Sequence, residues 1–365
     1  MEAKNKNVDS YFKVLKFSIP IIVSISLMFI ETTSLIINII LYSCSMIPLS
    51  IILGNQTSDI TEYIGEKKGG LLAATVGNLP ELMMGLWSIK YGMIAMAQAG
   101  LMGAVITNML LGLGLAIFCG GVKYKEQKFN KALARTNFQL LLLAIASIII
   151  ISSLDGNVLL DNKKATTISA VVSIVLIFIY ILGLIFSLYT HRNLFIASND
   201  KAEHYTNEKK LNKQSIIIIL KIIFVSIILY FISEKLIYNV NRVVETYKVS
   251  EEFIGIILIP LLGSFGENAT SIVCALNNKV DCSLETAIGS SIQISLFVTP
   301  LLIIISFFMG LNMTLVFSHF QIIMLIIALA MSYFVFQDGK TYWLEGGILT
   351  ATYVIITIGY YFIGM

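Results

Sequence analysis

Apolar residues run along this chain in blocks of about 20, the length a helix needs to cross a hydrocarbon core of about 30 Å. Short polar breaks separate the blocks, and the pattern predicts eleven spans: 15–30, 35–54, 69–89, 93–119, 133–153, 165–189, 215–238, 252–276, 282–308, 317–336 and 342–363. After the N-terminal tail only one long hydrophilic stretch occurs, at 190–214. With the first span set apart, that stretch leaves five spans on each side. An odd number of spans per half forces the two halves into opposite orientations. The division expected is therefore a tail and extra helix (1–34), a first repeat (35–189), a linker (190–214) and a second repeat (215–365).

Two of the blocks are interrupted in the same way. GNLPE (Gly77 to Glu81) and GSFGE (Gly263 to Glu267) each place a lone carboxylate four residues after a glycine and one after a helix-weakening residue. Twenty-two residues beyond each glutamate another glycine, Gly103 or Gly289, opens a small apolar run dotted with polar residues. The two arrangements lie 186 positions apart. Ionisable groups at bilayer depth are costly and mark functional sites. Interrupted segments at matching places in two halves mark the binding region of a repeat-built transporter.

Composition narrows the class. The chain is 57% apolar and 13% charged, which excludes a soluble domain of 365 residues; mean hydropathy is +0.85. With the N-terminus inside, 18 Lys and Arg fall on the cytoplasmic side and 6 on the other, with Lys221 inside a span, so the loops support N-in, C-out. Four lysines precede the first apolar run like the start of a signal peptide, but ETTS (Glu31 to Ser34) offers no cleavage site and a second span follows at once. The four cysteines and three histidines show no metal spacing and read as packing or loop residues. No Walker A loop or GxGxxG unit is present, so neither an enzyme nor a nucleotide-driven pump is expected, and nothing points to nucleic acid.

The interruptions suggest a hard cation as cargo. Proline removes a backbone donor and glycine weakens a helix, so carbonyls near Gly77, Pro80, Pro260 and Gly263 lose intrahelical partners. Calcium takes 6–8 oxygen ligands in flexible geometry. Glu81 and Glu267 supply the charge, and Asn78, Ser264, Thr107, Asn108, Ser290 and Gln293 are the candidate neutral oxygens. One divalent ion or two protons would neutralise the pair equally, which makes the glutamates the proton-coupling groups as well. Exchange follows if the site crosses between faces only when neutralised. The remaining acids read as loop or cap residues, and Glu234, Glu285 and Glu345, near span ends, read as structural.

The stretches GGLLAATVGNLPELMMGLWSIKYG, GAVITNMLLGLGLAIFCGGVKYKEQKFN and FIGIILIPLLGSFGENATSIVCALNNKVDCSLETAIGSSIQISLFVTPLL resemble the two repeats of the calcium/proton exchangers. SMIPLSIILG, THRNLF and QDGKTYWLEGGILTATYVIITIGYYF extend the resemblance over nearly the whole chain from about residue 35. It implies an all-α membrane protein of eleven helices, an N-terminal helix plus two inverted five-helix repeats, with cation bound between helices 3 and 8. Glu81 and Glu267 fall on the family's two essential glutamates and Asn78 on the asparagine of its first motif. The second motif departs: the family usually reads GNAAEH, and this chain has GSFGEN, with Ser264 for the asparagine, Phe265 for an alanine and Asn268 for the histidine. In the other repeat Ala73 stands for an asparagine and Ala104 for a serine.

The expectation is a secondary antiporter exchanging Ca2+ for H+ by alternating access, with no cofactor and with the lipid bilayer as its surroundings. The same scaffold coupled to Na+ or moving Mn2+, a non-transporting membrane cation sensor, and a channel are the competing classes. The membrane is expected to be vacuolar or another acidic store in a eukaryotic host and the plasma membrane in a bacterium. Oligomeric state is not legible.

Overall fold

The computed structural model describes residues 17–155, 161–190 and 213–363. The predicted linker and the lysine-bearing tail lie mostly outside them. The first half runs through α1 (Phe17–Phe29), α2 (Leu35–Val76), α3 (Leu79–Lys90), α4 (Ile94–Ile106), α5 (Leu113–Tyr124), β1 (Gln127–Lys128), α6 (Lys131–Asp155) and α7 (Asn162–Ile185). The second runs through α8 (Lys213–Tyr247), α9 (Glu251–Gly263), α10 (Phe265–Leu276), α11 (Val280–Gln293), α12 (Thr299–Phe308), α13 (His319–Val335), β2 (Lys340–Thr341) and α14 (Trp343–Ile363). Among the described residues six helices are long and apolar enough to cross a membrane, and the bent pair α9–α10 would be a seventh. The protein is an integral, multi-pass, mostly helical membrane protein.

The helix breaks recur at a fixed offset. α3 and α10 start 186 residues apart, as do α4 and α11. A wide π-helical turn follows α4 at Thr107–Gly112, and another follows α11 at Ile294–Val298. Even the tight loops agree. Gly92 and Asn278 are counterparts, and both take the left-handed conformation, at φ +80° and +59°, which glycine and asparagine tolerate best.

One expected loop is absent. The polar segment 55–68 was to separate the second and third spans, yet α2 continues through it as one 42-residue helix. Hydropathy falls there because charged residues accumulate, but no proline interrupts the stretch, and a drop in hydropathy is not a helix-breaking signal. The third predicted span is instead split at Gly77–Asn78, and the eighth at Ser264, where α9 and α10 diverge by 56°.

Two apolar clusters hold the helices. One joins α1, α2, α3 and α8, with Tyr42, Met46, Leu53, Trp87, Val225 and Ile232 buried. The other joins α4–α7 with α11–α14 through Leu101, Met109, Leu113, Ile288 and Leu302. Small residues bind the two together where α4 crosses α9. A methyl group on Gly103 would lie 2.7 Å from the Ile256 carbonyl, and one on Gly255 2.5 Å from that of Met96, so the backbones touch directly. Close approach through small residues is how helices pack when lipid removes the hydrophobic drive between them.

Two features went unpredicted. β1 and β2 pair antiparallel, Gln127 opposite Thr341, with Lys340 3.0 Å from Glu126. Cys274 and Cys282, read as separate packing residues, face each other across the α10–α11 turn with Cα atoms 5.9 Å apart and are paired as a disulfide.

Candidate cation site between the halves

Each key glutamate occupies the first turn of a half-helix, Glu81 in α3 and Glu267 in α10. Helix N-termini carry partial positive charge and favour carboxylates. The residues before these half-helices, Asn78 (φ −97°, ψ 21°) and Ser264 (φ −84°, ψ 8°), share a backbone conformation. Asn and Ser at such positions ordinarily cap their own helix. Neither does so here; each side chain crosses to the other half instead.

Ser264 Oγ donates to Glu81 Oε1 at 2.8 Å. Asn78 Nδ2 donates to Gln293 Oε1 at 2.5 Å, and Asn78 Oδ1 accepts from Ser290 Oγ at 3.0 Å. Asn108 Nδ2 donates to the same Ser290 hydroxyl at 3.0 Å. Glu267 interacts with Ser290 and, through space, with Glu81. Gly263 makes room: a methyl group there would sit 2.5 Å from the Glu81 carboxyl carbon. Eight of the ten predicted residues therefore meet in one place. Gly77 forms the break that turns α2 into α3. Thr107 points elsewhere, its hydroxyl 3.5 Å from that of Tyr353 on α14.

Sequence reasoning noted Asn268 only as a departure from a motif. Its side-chain oxygen packs directly against Gly112 in the first π-helical turn. A glycine in a helical run of otherwise bulkier residues was the available signal.

The decisive feature is what these hydrogen bonds leave over. Glu81 Oε2, Glu267 Oε2 and Asn108 Oδ1 are buried and have no hydrogen-bond partner. Orphaned buried polar atoms are rare and costly, and need an explanation. All three are acceptors, and no donor is left over among them. Oxygen acceptors around two carboxylates suit a hard cation. Among the described residues no group of three or more His, Cys, Asp or Glu gathers anywhere. Two carboxylates with neutral oxygens suit an ion that must also leave.

The comparisons with known proteins give the family. The sodium/calcium exchanger protein family matches residues 14–189 and 217–362. The chain is 35% identical over 320 residues to the Ca(2+)/H(+) antiporter ChaA of Bacillus subtilis, covering 88% of this chain and 90% of that protein. It is 34% identical to vacuolar cation/proton exchanger 3 of Arabidopsis thaliana, covering 82% of this chain and 68% of that protein. Among solved structures, native YfkE superposes with a TM-score of 0.79 at 30% identity, covering 95% of this chain and 98% of YfkE. The H+/Ca2+ exchanger CAX shares the fold, with a TM-score of 0.69 at 16% identity, covering 98% of this chain and 93% of CAX. With its broken half-helices, its cross-half hydrogen bonds and these relatives, the chain belongs to the calcium/proton exchangers of the sodium/calcium exchanger protein family.

Proposed function

We propose that this protein exchanges Ca2+ for H+ across its membrane by alternating access at a site shared by Glu81 and Glu267. The observation that carries the reading is the set of three buried, unpartnered acceptor oxygens on Glu81, Glu267 and Asn108. In this reading the chain is an N-terminal helix (1–34) followed by two inverted repeats (35–189 and 215–365) of five spans each, joined by the 190–214 linker, with the second span and the start of the third forming the continuous α2. No cofactor takes part, and Ca2+ is substrate.

Occupancy by Ca2+ neutralises both carboxylates, and departure of the ion leaves two like charges close together in a poorly hydrated place. Two protons restore neutrality. A site that moves only when neutral then couples the two fluxes, one divalent ion against two protons. The hydrogen bond from Ser264 holds the Glu81 carboxylate in place without consuming its second oxygen.

The test is calcium uptake into everted membrane vesicles driven by an imposed pH gradient. Glu81→Gln and Glu267→Gln should each lower uptake about 100-fold or more, because leaving one buried charge uncompensated costs ~3 kcal/mol or more. Near-normal uptake by either variant, in normally inserted protein, would exclude a two-glutamate site.

A further inference from the structure

A second feature lies beside this site and is used by none of the chemistry above. A cavity of about 510 Å³ opens between α6, α7 and α11. Its wall on α11 carries Glu285, Gly289 and Gln293, one helical turn apart from each other. Gln293 at one end is the acceptor of the Asn78 amide, so the cavity reaches the exchange site itself. Its other end lies toward the start of α6 and the end of α7, the side that the Lys and Arg bias marks as cytoplasmic.

Three observations show that the cavity is suited to ions and water rather than to packing. Among the described residues the Glu285 carboxylate has no hydrogen-bond or ion-pair partner, and the charged neighbour acting on it is Asp281. Tyr180, only 7% exposed, lines the same cavity with a buried hydroxyl that has no partner. Gly289 faces open space, with nothing within 4 Å of an added methyl group. The counterpart in the other half is closed: Gly103 is packed against Ile256, and the position matching Glu285 is the buried Ala99. The carboxylate therefore belongs to one face only and owes nothing to the repeat.

We infer that this cavity holds an outer cation site, at which Glu285 and the neutral oxygens beside it receive a hydrated divalent cation before it reaches Gln293. A hydrated ion suits a single carboxylate, which attracts it without stripping its water. Glu285 is exposed on the wall of the cleft, and a negative charge there concentrates cations. The role in transport rests on the exchange reading above; the electrostatic character of the cavity does not.

Two measurements decide it. First, Gly289→Cys, with Cys44 and Cys119 replaced by serine, is labelled from the linker side with small cationic and anionic water-soluble thiol reagents. The cationic reagent should react about tenfold faster, the low end of the ~10–10³ enrichment that charged clefts produce. Adding Glu285→Gln should abolish the difference, and adding Glu285→Asp should keep it. Absence of labelling by either reagent means the cavity is dry or lipid-filled and overturns the inference, as does labelling without charge preference. Second, in vesicle uptake Glu285→Gln should raise the half-saturating calcium several-fold and leave the maximal rate within about twofold, whereas Glu81→Gln removes the rate. An unchanged half-saturating concentration overturns the staging role while the exchange reading stands. If wild-type vesicles take up no calcium, the exchange reading fails, and the labelling experiment still decides whether the cavity collects cations.

Discussion

Ser264 donates a hydrogen bond to Glu81 across 183 positions of sequence, and the bond ties the break in one half to the carboxylate of the other. A hydroxyl donating to a carboxylate makes a charge-assisted bond, worth about 1.5–3 kcal/mol. Ser264→Ala should therefore loosen Glu81 and raise the half-saturating calcium about tenfold, with a smaller change in maximal rate. Uptake measured over a calcium series checks this. Unchanged saturation would mean that Glu81 is held without the serine.

Gly263→Ala separates folding from function. The methyl group would meet the Glu81 carboxyl at 2.5 Å, and the carboxyl is the movable end of a side chain. Backbone has no need to shift, so melting of the purified protein should change by less than about 4 °C. Uptake should nonetheless fall about tenfold or more, since the carboxylate leaves its position.

Asn268 stands where the family resemblance implies a histidine, and introducing that histidine should not be benign here. The asparagine oxygen already packs against Gly112. A larger ring must displace the π-helical turn, at an overpacking cost of about 1–3 kcal/mol. Asn268→His should lower the melting temperature by several degrees, and Asn268→Ser should not. Equal melting of the two variants would show that the pocket beside Gly112 is larger than its contacts imply.

The β1–β2 ladder should have a pH window. The Lys340 ammonium, hydrogen-bonded to Glu126, holds the Glu126 carboxyl below the usual carboxylate range, and Glu126 in turn raises Lys340. The carboxylate contribution is present above the ordinary Glu value and is lost as pH falls through the lowered one. The lysine contribution is present below the ordinary Lys value and is lost as pH rises through the raised one. Both partners are exposed, so salt should weaken the pair. The protection factors of the Gln127 and Lys128 amides, which remove the intrinsic pH dependence of exchange, should be steady near neutrality and fall in acid. Lys340→Met should abolish the acid dependence.

The site was more legible than the chain around it. Glu81 and Glu267 stood out because a charge in an apolar block is costly wherever it falls, and glycine and proline beside it mark a broken helix in any context. The breaks at Gly77–Asn78 and Ser264 followed from those residues. Thr107 was chosen by spacing alone, and spacing does not say which face of a π-helical turn a side chain takes; it turned toward Tyr353. The loop at 55–68 was inferred from polarity, which reports where water is and not where a helix ends. Glu285 read as structural because its surroundings are made by α6 and α7, far away in sequence.

The crossing of α4 over α9 has a consequence for motion. Gly100, Gly103 and Gly255 bring bare backbone against the partner helix, and the contact is a bearing in which Ile256 and Ile259 sit over Gly103 and Gly100. Such a surface slides or parts once those two isoleucines turn aside, so few rotamers gate the movement. In the alternating-access reading proposed above, the rearrangement that changes which face reaches Glu81 and Glu267 would run along this seam. Lengthening the side chain at position 103 or 255 would seize the bearing and trap the protein with one face shut.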